Sequence, residues 1–364
     1  MRFHLCKKLV MGAAMAGSLP GFLNAQQLPA EPPAAPMSLA LPTDNDALLR
    51  GDGPGFYMYV DRNFEKQQST PWEGGMYGFV RGPVRHHSKL VLMAFHEGID
   101  IAPLKRDSAG EPLDEVRSIS HGTVVHVNDQ PGASNYGRYI VVQHDWTDGS
   151  FYSLYAHLAR IDVQVGRPVT QGSTLGILGH TGDGLDRRRS HLHLEINLIL
   201  SSKFNEWHQR HFQPSPNHHG IYNGLNLSGI DVAQLYLARQ KTPDLQISQL
   251  LQQVEPEWKI LVPRKNKELE LLSNYPWLAR GENIAQPSAS WEISLTGSGL
   301  PLHIRPSDET VAKPSVSWVK DLGIPHVYHT RRYVSGSGGN GTLTASGTRF
   351  VELLTGDFIP PTPR

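Results

Sequence analysis

From about residue 55 to residue 200, apolar positions recur in short runs at a spacing of two, broken repeatedly by Gly and Pro. The first such run is Gly55-Phe56-Tyr57-Met58-Tyr59-Val60, and Gly122 to Val127 and Tyr139 to His144 repeat it. That period sends alternate side chains to opposite faces of a strand. Between Phe204 and Val254 the spacing turns helical, with Asp231 and Asp244 placed as N-cap or first-turn acids. Beyond Trp258 alternation returns, as in Ser290 to Leu295, and a Gly/Ser-rich tip follows at 335–341. The pattern predicts a mainly β protein with a helical connector over 204–257 and an additional β-rich region over 258–364. That last region contains Trp277, Trp291 and Trp318 but no metal or nucleophile pattern, and its aromatics are expected in a core.

The N-terminus departs from this pattern. Arg2, Lys7 and Lys8 precede an apolar or small stretch from Leu9 to Gly17, and Ala25 offers a small residue at a cleavage point. Residues 1–25 therefore read as a signal peptide, which predicts export to the periplasm, cell envelope or medium. Cys6 lies too early in it to carry a lipid. Residues 26–44, with Pro29, Pro32, Pro33, Pro36 and Pro42, read as an extended Pro-rich linker and not as a core element.

Composition narrows the function. The 364 residues exceed what one core usually supports. Basic and acidic side chains balance at 34 each, and removing the signal leaves 31 against 34. A nucleic-acid binder would show a basic excess, so none is expected as a partner. No apolar run of spanning length follows the signal, so no transmembrane segment is expected after cleavage. The oligomeric state is left open. The only cysteine, Cys6, departs with the signal, so a metal site in the mature chain must use His and carboxylate.

Histidine placement carries the chemistry, since 10 of the 18 lie between His86 and His193. In Phe95-His96-Glu97-Gly98-Ile99-Asp100-Ile101, His96 and Asp100 share one strand face while Phe95, Ile99 and Ile101 take the other. In His191-Leu192-His193-Leu194-Glu195-Ile196, the two imidazoles and Glu195 face one way and the aliphatic residues the other. His157 closes the run Phe151 to Ala156 on the face opposite Leu154 and Leu158. A catalytic zinc site needs three N or O ligands and an open fourth position. His96, Asp100 and one of His191 and His193 can supply those three, leaving two imidazoles beside the metal. His96-Glu97 also begins like the helical metalloprotease motif, but that motif requires His at position 100, and Gly98 disfavours a helix.

These segments resemble the lysostaphin/LytM-type zinc endopeptidases, which cleave the peptide part of bacterial peptidoglycan. The resemblance rests on His96-Glu97-Gly98-Ile99-Asp100, Tyr155-Ala156-His157 and His191-Leu192-His193, in that order. Gly75 to Arg81, Val165 to Gly172 and Gly176 to Gly182 support it, so it spans about 74–200. It implies a catalytic domain over 45–203 whose antiparallel β-sheet groove, of the duplicated hybrid motif type, carries the metal on its floor. It further implies that His96, Asp100 and His193 hold one Zn²⁺, and that His157 and His191 are catalytic. The expected activity is hydrolysis of peptidoglycan peptides, with peptidoglycan as partner. The chain departs from the family in a longer charged segment between Ile101 and Ser118, centred on Lys105 to Glu111 and expected near the cleft entrance. A non-catalytic envelope protein of the same fold, binding peptidoglycan or activating another hydrolase, is the alternative. The complete set of five residues weighs against it.

Other polar residues have two readings each. Glu195 either hydrogen-bonds a ligand His or is a solvated strand residue. Tyr136 either supports the tetrahedral intermediate or is a turn aromatic. Arg187-Arg188-Arg189 either meets substrate carboxylates or is a solvated loop. His121, His126 and His144 read as surface or structural histidines, and His180 as a turn residue. His208, His211, His218 and His219 are expected on exposed loops and not in a second metal site.

Overall fold

Seven antiparallel strands form the main sheet of a computed structural model that describes residues 36–265, 268–281 and 284–359. The described residues belong to one compact unit. The expected signal peptide at 1–25 and the expected linker as far as residue 35 lie outside the described residues. The strands run in the order Pro168–Val169, Gly122–Asn128, Tyr139–Trp146, Gly149–Ala156, Leu192–Ile199 and Leu227–Gly229, with Ile99–Ile101 also pairing with Leu192–Ile199. The protein is thus mainly β, with an antiparallel sheet at its centre.

Local chemistry explains the central hairpin. Tyr139 to Val142 supply aromatic and β-branched residues that suit a pleated, buried surface. Trp146 pairs with Gly149 across the turn, where Gly149 has φ +124, a value that disfavours any side chain. Both faces of the sheet are covered. Ile140, Val142 and Leu194 belong to the large core on one side; Tyr139, Val141, Leu154 and Ala156 form a smaller cluster on the other. Every residue of Leu192–Ile199 is consequently buried, including His193 and Glu195. Alternation separated the polar from the apolar face of this strand, but its polar face is also packed.

The run 95–101 is not one strand. Lys89–His96 pairs with Gly78–His86 in a separate hairpin, whereas Ile99–Ile101 pairs with Leu192–Ile199 in the main sheet. The chain crosses from one sheet to the other at Glu97-Gly98, and His96 and Asp100 still meet. The first expected strand, Gly55 to Val60, is also different. Asp52 caps a helical turn at Gly53–Phe56 by accepting from Gly55 N, and only Tyr57 bridges, to Ile101.

The described end of the expected linker packs against the body. Met37 and Pro42 are buried. The carbonyls of Met37 and Ala40 accept from Arg239 and Tyr236, and Arg117 N donates to Pro42 O at 2.8 Å. Proline lacks an N–H, but its neighbours' carbonyls still accept, so a Pro-rich segment can be tied down.

Helices Phe204–Phe212, Val232–Lys241 and Ile247–Leu251 fall in the expected connector, and Asp231 caps the second by accepting from Gln234 N. Between the first two lies Leu227–Gly229, which pairs with Leu192–Ile199 as an edge strand of the main sheet. The C-terminal residues build a second antiparallel sheet in the order Pro301–Ser307, Ser290–Leu295, Trp258–Pro263, Ser315–Val319. The Tyr275 hydroxyl donates to Ser150 O at 3.1 Å and lies 3.0 Å from Ile199 N, touching two strands of the main sheet. Trp258 and Trp291 are core residues, while Trp318 is 40% exposed and departs from that expectation.

Candidate metal centre and active cleft

His96 arrives at the end of the first hairpin, and Asp100 and His193 sit directly opposite one another across two paired strands. Their ligating atoms all lie within 4.8 Å of one another, and all three residues are buried. His96 Nε2 is 3.0 Å from His193 Nδ1 and 3.0 Å from Asp100 Oδ1; His193 Nδ1 is 2.9 Å from Asp100 Oδ1.

What each ring does with its other nitrogen decides what the centre can hold. His96 Nδ1 lies 2.7 Å from the Met76 carbonyl and His193 Nε2 lies 2.7 Å from Glu195 Oε1. Both partners are acceptors, so both of these ring nitrogens carry the proton. His96 Nε2 and His193 Nδ1 then turn lone pairs toward one point beside a carboxylate oxygen. Two lone pairs at 3.0 Å need a proton or a cation between them. This donor set, two neutral imidazoles and one carboxylate, fits a divalent metal ion such as zinc. With a proton in that place, His193 is pushed up to about 10: burial opposes the charge, but its hydrogen bonds to Asp100 and Glu195 outweigh it. Asp100 is held well below the usual carboxylate range, because His191, His96 and Arg81 outweigh the penalty of burial. Burial moves His96 the other way, below the usual histidine value, despite Asp100.

A second layer of groups fixes the ligands. Arg81 donates to Asp100 Oδ2 and, through Nε, to the Gly74 carbonyl at 2.8 Å. Glu195 Oε1 also accepts from the Tyr136 hydroxyl at 2.7 Å, and Oε2 accepts from Asn197 Nδ2 at 2.9 Å. Glu195 is therefore a partner of His193 and not a solvated residue. The hydroxyl of Tyr136 is committed to Glu195, while its ring lies 5.7 Å from that of His193.

The other two histidines follow the same rule. His157 Nδ1 is 2.9 Å from Thr181 O, and His191 Nδ1 is 2.7 Å from Arg189 O. Each Nδ1 donates to its carbonyl, which leaves each Nε2 as the ring nitrogen free for other work. The two rings lie 4.7 Å apart, and His191 Nε2 is 3.4 Å from Asp100 Oδ1. His157 adopts φ +65, an unfavourable backbone for a residue with a Cβ, held by its N–H on Tyr136 O at 2.9 Å. Burial and the neighbouring imidazoles keep His157 far below the usual histidine value.

All five residues line one open cleft of about 750 Å³. Arg81, Glu97, Tyr136, Arg189, His219 and Arg331 also line it. Sequence reasoning missed Arg81 and Arg331, and the expectation of an exposed loop for His219 is corrected by its place in the cleft wall. Arg81 lay within the matched segment 75–81, which was the only available signal. His219 touches the Tyr139 hydroxyl at 2.8 Å, and Arg331 reaches Glu97 Oε1 at 2.6 Å from the C-terminal region. Nothing local marked Arg331.

The remaining expectations divide between those that stand and those that are corrected. The segment Lys105 to Glu111 does not line the cleft. It braces the wall that does, since Arg106 bonds the Arg187 carbonyl and Glu111 pairs with both His180 and Arg187. Arg187 and Arg188 are tied within the protein, to Glu111 and Asp61, so only Arg189 of the three lines the cleft. His208 and His211 lie on a helix, stacked on Phe212 and paired with Glu352 respectively, and His208 is buried. Helix packing on the C-terminal helix draws them inward. Among the described residues they form no second metal group with His218 and His219. His144 is a structural histidine, fully buried between His121 O and Ser153 Oγ.

The fold and this site fit a peptidase-type domain with a side-chain group that could hold a metal ion. Residues 94–206 match the family described as Peptidase family M23. A curated relative, the peptidoglycan DD-endopeptidase ShyA of Vibrio cholerae, is 34% identical over 122 residues, which cover 33% of this chain. The matched part is 24% of that relative's length. Among solved structures, the catalytic domain of lysostaphin from Staphylococcus simulans is 27% identical, covering 33% of this chain and 75% of its own, with a TM-score of 0.24. A zinc-containing peptidase from Vibrio cholerae is 26% identical over 39% of this chain and 36% of its own, with a TM-score of 0.25.

Proposed function

We propose that this protein is an exported zinc metalloendopeptidase that hydrolyses peptide cross-links of bacterial peptidoglycan. One observation carries the reading: His96 Nε2, His193 Nδ1 and Asp100 Oδ1 converge, with both imidazole lone pairs facing the same point. His96, Asp100 and His193 would hold the ion. When bound, zinc supplies Lewis acidity toward a scissile carbonyl and toward water.

The remaining work falls to the chain's own residues. His157 and His191 both line the cleft with Nδ1 engaged on a carbonyl, so proton exchange with a bound group falls to Nε2 of each. His191 gains an ion pair with Asp100, 3.4 Å away, when it accepts a proton. That favours His191 as the base that takes the proton of the attacking water and returns it to the leaving amine. His157, held neutral by burial among imidazoles, orients the reacting groups from the other side. Arg81 and Glu195 keep the ligands in place.

The test is digestion of purified peptidoglycan, with mass spectrometry of the released fragments. The expected result is cleavage of peptide cross-links that stops with a chelator and returns with zinc. Zinc binding without any cleavage would overturn the enzymatic reading and favour a binding role.

A further inference from the structure

Three arginines line the cleft, and their charges are not equally satisfied. Arg81 is paired with Asp100 and Arg331 with Glu97. Arg189 differs. Its side chain is only 15% exposed, its Nε is buried with no hydrogen-bond partner, and its guanidinium donates no hydrogen bond to any described residue. The one carboxylate near it, Asp61, lies 4.0 Å from Nε and is already taken by both Nη atoms of Arg188 at 3.2 and 2.6 Å. A buried guanidinium Nε without a hydrogen bond is unfavourable, and native structures rarely leave one unexplained.

Its position is held from the backbone. Asp186 accepts from Arg189 N at 3.0 Å, and the Arg189 carbonyl accepts from His191 Nδ1. The residue therefore stands at a set distance along the chain from the reacting centre and borders the cleft. A guanidinium with free donors in a partly dehydrated site matches one ligand chemistry above others, a carboxylate bound through two parallel N–H bonds. Asp183 also lines the cleft but makes no ion pair with any described residue, so among them the only carboxylate facing Arg189 is the shared Asp61 at 4.0 Å.

We infer that Arg189 is a specificity-determining residue that binds a carboxylate of the peptide substrate and sets which bond reaches the centre. The inference rests on the peptidase reading above. The carboxylate is either the end of a peptide chain or an acidic side chain, and both offer the same planar pair of oxygens.

The experiment compares wild type, Arg189→Ala and Arg189→Lys, all loaded with zinc. The substrates are purified peptidoglycan and the same material with its carboxylates amidated. A charge-assisted bond of this kind contributes roughly 1.5–3 kcal/mol, so Arg189→Ala should raise KM about 10- to 100-fold on the native material. Arg189→Lys should recover part of that loss, because the charge returns without the fork. On amidated material the wild type should fall to the level of Arg189→Ala, and that variant should lose nothing more. Zinc content and melting temperature of the variants separate this effect from misfolding. Two synthetic cross-linked peptides, one amidated at its chain end and one at its side-chain carboxylate, identify the source.

Equal KM for wild type and Arg189→Ala on native peptidoglycan would overturn the inference while leaving the peptidase reading intact. So would an equal loss in both proteins on amidation. No cleavage by the wild type at all would instead remove the peptidase reading, and this inference with it.

Discussion

Gly98 presses against the backbone of Leu194 so closely that a Cβ at position 98 would stand 2.3 Å from the Leu194 carbonyl oxygen and 2.8 Å from the Glu195 side chain. This contact lets the chain leave the His96 hairpin and enter the main sheet within two residues. It explains why a residue without a side chain separates the two ligands. No flexible side-chain tip lies there to yield, because the nearest atom is backbone.

Gly98→Ala should therefore separate His96 from Asp100. The expected result is a stability loss of about 3 kcal/mol, the upper range for overpacking, together with zinc affinity reduced at least tenfold. Denaturant unfolding and zinc titration check it. A variant that binds zinc normally would show that the contact is dispensable.

The five cleft residues should divide into two groups. His96→Ala, Asp100→Asn and His193→Ala should lose the metal, since each removes one of three converging donors. His157→Ala and His191→Ala should keep it and lose about 10² or more in kcat. Metal analysis beside peptidoglycan hydrolysis reads both effects. Full activity in a zinc-loaded His157→Ala protein would show that the assigned roles are wrong.

Glu195 and Tyr136 should act through His193. Glu195→Gln removes the charged acceptor of the His193 proton, and zinc affinity should fall about 10- to 100-fold. Tyr136→Phe removes one donor to the same carboxylate, so its effect on affinity should be in the same direction and below about tenfold. If Tyr136→Phe instead lowered kcat with zinc affinity untouched, its hydroxyl would serve the reacting groups directly.

His144 predicts a specific acid sensitivity. Burial lowers it from 6.5 to about 4, against the opposing pull of the His121 carbonyl. Between those two values the unfolded chain binds more protons than the folded one, so stability falls as pH drops from 6.5 to 4. The loss from this residue should approach about 3 kcal/mol by pH 4. Urea unfolding of wild type and His144→Gln across pH 7 to 4 should give converging curves. Parallel curves would remove His144 as the cause.

Much of this protein was legible from order and spacing alone. Alternation in 191–196 put His193 and Glu195 on one side of a strand and Leu192 and Leu194 on the other, because side-chain direction in a strand is a local property. The three His-containing segments marked the residues that converge, and Asp231 marked a helix start, because capping is also local. The same reasoning failed where direction depends on a distant neighbour. His96 and Asp100 appeared to share a single strand, yet they reach one point from two sheets, through a crossing set by the backbone of Leu194. The Pro-rich stretch near Met37 read as a linker because proline discourages regular structure, and only its contacts with Arg117, Tyr236 and Arg239 show it packed.

The order of donors along the chain, their chemical type and the face each takes within its own strand were decided by the sequence itself. Which nitrogen of each imidazole holds the proton was decided by tertiary structure, through acceptors at Met76, Thr181, Arg189 and Glu195. The arrival of Arg331 beside Glu97, 234 residues away in the chain, was decided there too. A hydrogen bond depends on where two atoms end up, and spacing along the chain carries that information only across the few residues of a single element.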